Sequence, residues 1–178
     1  ANGAVPTTAP EYVVFEGPGM DAFAESPEWG CTFVVLPFMY YETYGDDSLI
    51  RKYYNGMRRY IDYMTTRAND GIVSFGLGDW YDYGDFRAGF SRNTPVPLVA
   101  TAHYYMVVRY LVEAARMLDN RYDVAYYTHL GEEINKAFHR EFYHKDTRQY
   151  GTGSQCSNAL PLFLGMVPAE DKQAVLDN

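Results

Sequence analysis

Residues 76–85 bring together the side chains best suited to binding chemistry. Their sequence, Gly-Leu-Gly-Asp-Trp-Tyr-Asp-Tyr-Gly-Asp, holds three carboxylates, three aromatic residues and three glycines. Carboxylates accept hydrogen bonds from sugar hydroxyls, and the indole of Trp80 suits the apolar C–H face of a pyranose ring. The alternatives are a calcium loop, although the spacing is not that of an EF-hand, and a tight solvated turn. Asp79, Trp80 and Asp82 are therefore candidate sugar contacts, with a structural turn as the open alternative.

Two shorter clusters accompany this segment. Ser26 and Pro27 are typical of the N-cap and first position of a helix, which accounts for both. Glu28 and Trp29 follow in the first turn, where Trp29 either faces a ligand together with Trp80 or staples the preceding loop to the helix. Residues 151–155, Gly-Thr-Gly-Ser-Gln, open a later helix, and the Gln there either contacts a ligand or caps the helix.

The remaining reactive side chains indicate packing rather than catalysis. His103, on an apolar helix, is interpreted as a core residue. The other three histidines are expected to be solvated: His129, His139 and His144. Cys31 and Cys156 lack metal-ligand spacing and are expected to behave as small buried hydrophobic residues. Because no Ser/His/Asp order, P-loop or Rossmann fingerprint occurs either, we predict no metal site and no cofactor.

The charge balance and hydropathy exclude two classes of partner. The chain has a formal net charge of −8 and a pI near 4.9, and its Lys and Arg residues are scattered singly, so no nucleic-acid partner is predicted. The longest apolar run, residues 31–41, is too short to span a membrane and contains Pro37. No signal peptide pattern is visible and the chain does not begin with Met, so we expect it to start partway through a longer gene product.

Six predicted helices alternate between two kinds. Their ranges are 29–44, 48–68, 98–118, 122–143, 157–166 and a last helix from about Ala169. The first, third and fifth are apolar on nearly every side, whereas the second and fourth are amphipathic. An apolar helix must be surrounded, and an amphipathic one covers it from the solvent side. We therefore predict an all-α fold of three hairpins with inner and outer helices, in which the third and fifth helices are more buried than the second and fourth.

The first two hairpins are also weakly similar to each other. The pattern Asp46, Tyr53-Tyr54, Ile61 recurs as Asp119, Tyr126-Tyr127, Ile134. Self-similarity of this kind is typical of a repeated supersecondary unit, and an irregular helical bundle is the alternative.

Loop lengths give the hairpins a functional face. The connections from inner to outer helices are short, whereas residues 69–97, residues 144–155 and the stretch before Trp29 are long. All long connections therefore reach the N-terminal ends of the inner helices, and long loops in compact domains are often functional. We expect Trp29 and Trp80 to face one concave site there, with Asp79 and Asp82 beside them.

An ordered set of short motifs resembles the bacterial α-L-rhamnosidases of glycoside hydrolase family 78. The resemblance covers nearly the whole chain. The motifs are Val5-Pro6-Thr7-Thr8-Ala9-Pro10, Ser26-Pro27-Glu28-Trp29-Gly30, Gly45-Asp46, Tyr54-Asn55-Gly56-Met57, Asp70-Gly71-Ile72-Val73, Gly78-Asp79-Trp80-Tyr81-Asp82, Thr94-Pro95, Ala100-Thr101-Ala102-His103-Tyr104-Tyr105 and Gln155-Cys156-Ser157-Asn158-Ala159-Leu160.

The resemblance implies an (α/α)6 barrel and an inverting reaction that uses a glutamic general acid and a glutamate general base. The family's Arg-Glu-Arg-x-Gly-Trp motif, which carries the acid, does not occur here, and the base belongs to a later segment. We therefore assign no catalytic residue to this chain. The residues that would line the rhamnose subsite are Trp29, Trp80, Asp79 and Asp82, with Glu28 included in the substrate-binding set. Many members have Asp where this chain has Cys31, so no ligand role is assigned to that position.

Three hairpins make half of such a barrel. We expect residues 1–178 to be part of one domain, with no complete domain boundary inside them and an uncovered apolar flank on the inner helices. The predicted partners are a carbohydrate substrate, namely a rhamnoside, and the remainder of the barrel. The alternatives are another (α/α)6 carbohydrate enzyme, similar to trehalases or glucoamylases, and a non-catalytic helical-repeat scaffold whose loops bind protein.

Overall fold

The computed structural model describes residues 2–13 and 15–178, which fold into helical hairpins joined by long loops. The helices are α1 (Asp21–Ala24), α2 (Pro27–Gly30), α3 (Thr32–Tyr44), α4 (Ser48–Arg67), α5 (Val96–Met117), α6 (Arg121–Phe142), α7 (Gln155–Phe163) and α8 (Lys172–Leu176). The strands are β1 (Asp82–Gly84), β2 (Phe86–Gly89), β3 (Tyr143–His144) and β4 (Gln149–Tyr150). They form two antiparallel pairs, β1 with β2 and β3 with β4. The predicted all-α class is confirmed, because the strands lie in loops only.

All six predicted helices are present. The first is divided at Cys31 into α2 and α3, and the last begins at Lys172 rather than near Ala169. The single turn α1 was not predicted, because four residues are too few to show helical periodicity. No helix within the described ranges has the length and apolar character needed to cross a lipid bilayer.

Helix α5 is the central element of the fold. It packs against α3, α4, α6 and α7, so that each hairpin contacts it. The tight turn between α3 and α4 depends on Gly45, whose φ of 70° is left-handed and whose N–H donates to the carbonyl of Tyr41 at 2.7 Å. Short turns of this kind keep the paired helices antiparallel and leave the long loops at the opposite end.

Burial agrees with the predicted layers for one inner helix and not for the other. Twelve of the 22 residues of α5 are buried, against seven of 20 in α4 and seven of 22 in α6. The prediction that the fifth helix, α7, is also more buried is wrong, since only three of its nine residues are buried. Phe163 at its end is 82% exposed.

The inner helices carry the expected uncovered apolar flank. Leu36 and Met39 on α3 are both more than half exposed, as is Phe163 on α7. Full burial of a side chain of this kind stabilises a protein by about 1.5–3 kcal/mol, so this flank is a substantial exposed apolar surface.

A buried acidic group joins the two outer helices. Asp123 at the start of α6 is 2% exposed and accepts hydrogen bonds from the hydroxyl of Tyr54 on α4, at 2.6 Å, and from the side-chain amide of Asn120, at 2.8 Å. The guanidinium of Arg58 on α4 lies 3.3 Å from the same carboxylate. Burial and the Asp123 carboxylate together raise the pKa of the Tyr54 hydroxyl. The carboxylate is therefore compensated from both helices.

Candidate functional site

Three long loops meet at the N-terminal ends of the inner helices. The loop before α2 contacts the loop after α4, since the hydroxyl of Ser26 accepts from the N–H of Leu77 at 3.0 Å. The loop after α4 in turn contacts the loop after α6, because the hydroxyls of Thr94 and Ser154 lie 2.7 Å apart. The face predicted from loop lengths thus forms one continuous surface.

Glu28 fastens two of these loops together. One carboxylate oxygen accepts from the N–H of Gly78 at 3.1 Å, and the other accepts from the hydroxyl of Ser26. Gly76 passes so close that a side chain there would place its Cβ 2.7 Å from the same carboxylate, with a backbone φ of +126°. We call Ser26 and Glu28 the loop clamp. Its hydrogen bonds fix the start of the segment that carries Trp80.

The two tryptophans belong to one aromatic cluster. Phe23 on α1 lies between them, with ring centroids 6.5 Å from Trp29 and 5.2 Å from Trp80. Phe90 closes the group at 5.5 Å from Phe23 and 5.6 Å from Trp80. Trp29 remains 37% exposed, so its indole is available to a ligand. We call these four residues the aromatic cluster.

Phe23 and Phe90 were missed by the sequence reasoning. Each is a single aromatic residue in a stretch without periodicity, so no local pattern marks it as part of a site. A signal was present in the loop argument, because both residues lie in long segments that reach the same face as the tryptophans. Inclusion of every aromatic side chain of those segments would have identified them.

Asp82 is bound on all sides by donors of its own chain. Its carboxylate accepts from the backbone N–H groups of Arg92, Asn93 and Tyr83 at 2.6, 2.7 and 2.9 Å, and from the side-chain amide of Asn93 at 2.6 Å. The N–H of Arg92 is the main cause of the lowered pKa of Asp82, followed by that of Asn93. These bonds close the base of the β1–β2 hairpin.

Asp79 lies in a polar cavity of about 800 Å³ beside the N-terminus of α7. It accepts from the hydroxyl of Thr94 at 3.2 Å, and Thr94 is itself 2.7 Å from the hydroxyl of Ser154. Gln155 and Cys156 line the same cavity. Burial, followed by the charge of Asp79, raises the pKa of the Cys156 thiol to about 11. Of the predicted acidic contacts, Asp79 has the fewest hydrogen bonds within the chain and the most capacity for a ligand hydroxyl.

The predicted site residues therefore fall into three neighbouring groups. The indoles of Trp29 and Trp80 share the aromatic cluster, Asp79 and Asp82 line the polar cavity, and Glu28 lies in the loop clamp between loops. Within residues 2–13 and 15–178, no group of three His, Cys, Asp or Glu side chains has the arrangement of a metal site.

All four histidine interpretations can be compared with the structure, and His129 and His144 are exposed, as expected. His103 is half-buried and its Nδ1 lies 2.8 Å from the carbonyl of Val99, as expected for a packed residue. The prediction that His139 is solvated is wrong, because its side chain is half-buried. It stacks on Tyr143 at 4.4 Å and lies 3.0 Å from the hydroxyl of Tyr150, and burial lowers its pKa. The β3–β4 hairpin folds back over α6 and covers it, which helical periodicity alone does not predict.

Cys31 and Cys156 are both free thiols. Cys31 is buried as expected, and burial raises its pKa to about 11. Cys156 is only half-buried, because it lies at the edge of the polar cavity.

Relatives of known activity match this chain over most of its length. An α-L-rhamnosidase of Formosa agariphila is 28% identical over 159 residues, which are 84% of this chain and 16% of that protein. The solved α-L-rhamnosidase of Dictyoglumus thermophilum superposes with a TM-score of 0.85 at 27% identity, covering 99% of this chain and 19% of that one. The α-L-rhamnosidase of Streptomyces avermitilis, solved in complex with L-rhamnose, gives a TM-score of 0.74 at 25% identity, covering 84% of this chain and 14% of that one.

The chain thus spans less than a fifth of the length of each of these relatives. A family model described as the bacterial alpha-L-rhamnosidase 6 hairpin glycosidase domain matches residues 1–178. Helical hairpins of the kind that this description names are what the structure contains. The chain belongs to the bacterial α-L-rhamnosidase six-hairpin glycosidase domain family.

Proposed function

We propose that residues 1–178 form part of the sugar-binding face of an α-L-rhamnosidase, a glycoside hydrolase that releases terminal α-L-rhamnose. The observation that carries this proposal is the aromatic cluster at the meeting point of the long loops, directly beside the polar cavity that holds Asp79. The relatives named above as α-L-rhamnosidases, one of them bound to L-rhamnose, support the choice of sugar.

The chemistry of rhamnose suits this arrangement. L-Rhamnose is a 6-deoxy sugar, so its methyl group and ring C–H bonds present an apolar surface that packs favourably on Trp29 and Trp80. Its ring hydroxyls need hydrogen-bond acceptors, and Asp79 is the carboxylate with capacity to provide them. Asp82 and Glu28 contribute indirectly in this proposal, because their oxygens hold the loops that carry the contact residues.

The acid and base of the reaction belong to other segments of the protein in this proposal. An inverting glycosidase needs two carboxyl groups separated by about 6.5–9.5 Å, so that a water molecule fits between the base and the anomeric carbon. Glu28 and Asp82 are engaged by donors of their own chain, and Asp79 is left without a carboxyl partner suited to this task. We therefore propose that the chain binds the sugar and that it does not hydrolyse an aryl rhamnoside alone.

A substitution of Trp80 tests the proposal in the complete enzyme. Trp80→Ala should raise the KM for an aryl rhamnoside by up to about tenfold, because an aromatic stacking contact contributes roughly 0.5–1.5 kcal/mol beyond the burial of its area and about 1.4 kcal/mol corresponds to a factor of ten. Trp29→Phe, which keeps an aromatic ring in place, is the matched control and should change the KM little. An unchanged KM together with a lowered melting temperature would mean that Trp80 only packs.

A titration with L-rhamnose addresses the scaffold alternative. Binding of the sugar should change the intrinsic tryptophan fluorescence, since both tryptophans belong to the proposed site. The absence of any change up to high millimolar rhamnose, together with the absence of rhamnosidase activity, would favour a non-catalytic scaffold.

A further inference from the structure

A second hollow adjoins the aromatic cluster on the side of the β1–β2 hairpin. It has a volume of about 680 Å³, and its wall includes Trp80, Tyr81, Phe90, Arg87 and Arg92. Tyr81 is 60% exposed and Phe90 is 43% exposed, so large apolar surfaces are open to a ligand. Because Trp80 belongs both to this hollow and to the aromatic cluster, a ligand here would directly neighbour a sugar that stacks on the two indoles.

The two arginines are the only charged groups that line this hollow in the described part of the chain. Neither takes part in any of the ion pairs found within residues 2–13 and 15–178. Asp79 and Asp82 line the polar cavity instead. In a protein with a net charge of −8, two arginines without an acidic partner in one aromatic hollow are an unusual local arrangement.

The hairpin holds one of these arginines in a defined place. The backbone N–H of Arg92 donates to Asp82 at 2.6 Å, and its guanidinium lies 4.9 Å from the centre of the Phe86 ring. Stacking on an aromatic face leaves the N–H groups at the edge of the guanidinium free to donate. Arg87 lies on β2, the same strand as Phe86, and Arg92 follows that strand by three residues, so both cations are next to the β1–β2 hairpin.

We infer that this hollow binds an acidic sugar unit, a uronate, to which the terminal rhamnose is attached. A guanidinium donates to a carboxylate through two parallel N–H bonds, and the exposed rings of Tyr81 and Phe90 offer surface to the C–H bonds of the pyranose. The inference rests on the proposed rhamnosidase function, because it assigns the unit next to the sugar that is released. Arg87 and Arg92 then determine specificity and take no part in bond cleavage.

Two matched disaccharides test this inference in the complete enzyme. One carries α-L-rhamnose on glucuronic acid and the other carries it on glucose through the same linkage. The KM for the acidic substrate should be about tenfold lower, and this preference should shrink in 0.5 M NaCl, since salt screens exposed charges. The double variant Arg87→Gln, Arg92→Gln should lose the preference, so that its KM values for the two disaccharides become equal. Arg121→Gln, an exposed arginine at the start of α6, is the control and should keep the preference.

A binding measurement keeps the inference separate from the proposed activity. Free glucuronate should quench the tryptophan fluorescence of the unmodified enzyme more strongly than glucose does, and the double variant should lose this difference. Equal KM values for the two disaccharides, or a preference that survives in the double variant, would overturn the acidic subsite. Failure to release rhamnose from either disaccharide would instead contradict the proposed function, and the quenching difference would then decide the inference alone.

Discussion

Removal of the Glu28 side chain should loosen the loop that carries Trp80. In Glu28→Ala the N–H of Gly78 loses its acceptor, and the hydroxyl of Ser26 loses its partner, while Ser26 still accepts from Leu77. A buried group without a partner costs about 1–3 kcal/mol, so two such losses should lower the free energy of unfolding by about 2–6 kcal/mol. Glu28→Gln keeps an acceptor oxygen for the N–H of Gly78, and its amide can donate to the hydroxyl oxygen of Ser26 in place of the bond that Glu28 accepted, so it should cost only about 1 kcal/mol.

The same variants should affect binding before turnover. We expect Glu28→Ala to raise the KM for an aryl rhamnoside about fivefold, because the indole of Trp80 is no longer held in position, with a smaller change in kcat. Chemical denaturation and steady-state kinetics measure the two effects, and Glu28→Gln should largely restore both. If Glu28→Gln instead lowered kcat about a hundredfold or more at unchanged KM and unchanged stability, Glu28 would be an acid or base and the clamp interpretation would be wrong.

Four further outcomes are expected. Phe23→Ala should raise the KM several-fold, since it removes the ring between the two indoles. The pKa of Asp82 is lowered in the folded state, so its contribution to stability is complete above about pH 4 and is lost as the pH falls through its folded pKa. The free energy of unfolding of Asp82→Asn, measured by urea denaturation at several pH values below about pH 4, should therefore fall less steeply with pH than that of the unmodified protein. Cys156, with a pKa raised to about 11, should react with iodoacetamide at pH 8 far more slowly than the thiol of the free amino acid cysteine, and rapid labelling would contradict the raised pKa. Tyr54→Phe should lower the free energy of unfolding by about 1–2 kcal/mol in urea denaturation, because Asp123 loses a charged hydrogen bond.

The helices and the functional face could be predicted from the sequence because both follow from local patterns. The spacing of apolar residues defines α4 and α6, and the lengths of the connections place the long loops at one end. That reasoning was enough to put Trp29 and Trp80 on the same face, where Phe23 joins them. The expectation that the sugar is rhamnose came from the resemblance to a known family, because no pattern of apolar residues indicates which sugar a site binds.

The role of each acidic residue could not be predicted in the same way. Asp79, Asp82 and Glu28 look alike in sequence, yet Asp82 receives four hydrogen bonds from its own chain and Asp79 receives one from Thr94. Which backbone N–H groups point at a carboxylate depends on the path of a distant loop, here residues 92–93, and such a contact leaves no local signal. The exposure of α7 escaped prediction for a related reason, because the burial of an apolar helix depends on neighbours outside its own hairpin.

The bonds around Asp123 have a consequence for the unfolding of the hairpins. Stacked repeats often melt one by one, since each contacts only its neighbours through modest interfaces. Here a hydroxyl and a guanidinium from α4 compensate a buried carboxylate on α6, and separation of the two helices would leave that carboxylate without its partners on α4. The penalty opposes partial opening between the first and second hairpins, so their amide protons should exchange with solvent as one cooperative unit, whereas α8, outside this contact, should exchange earlier.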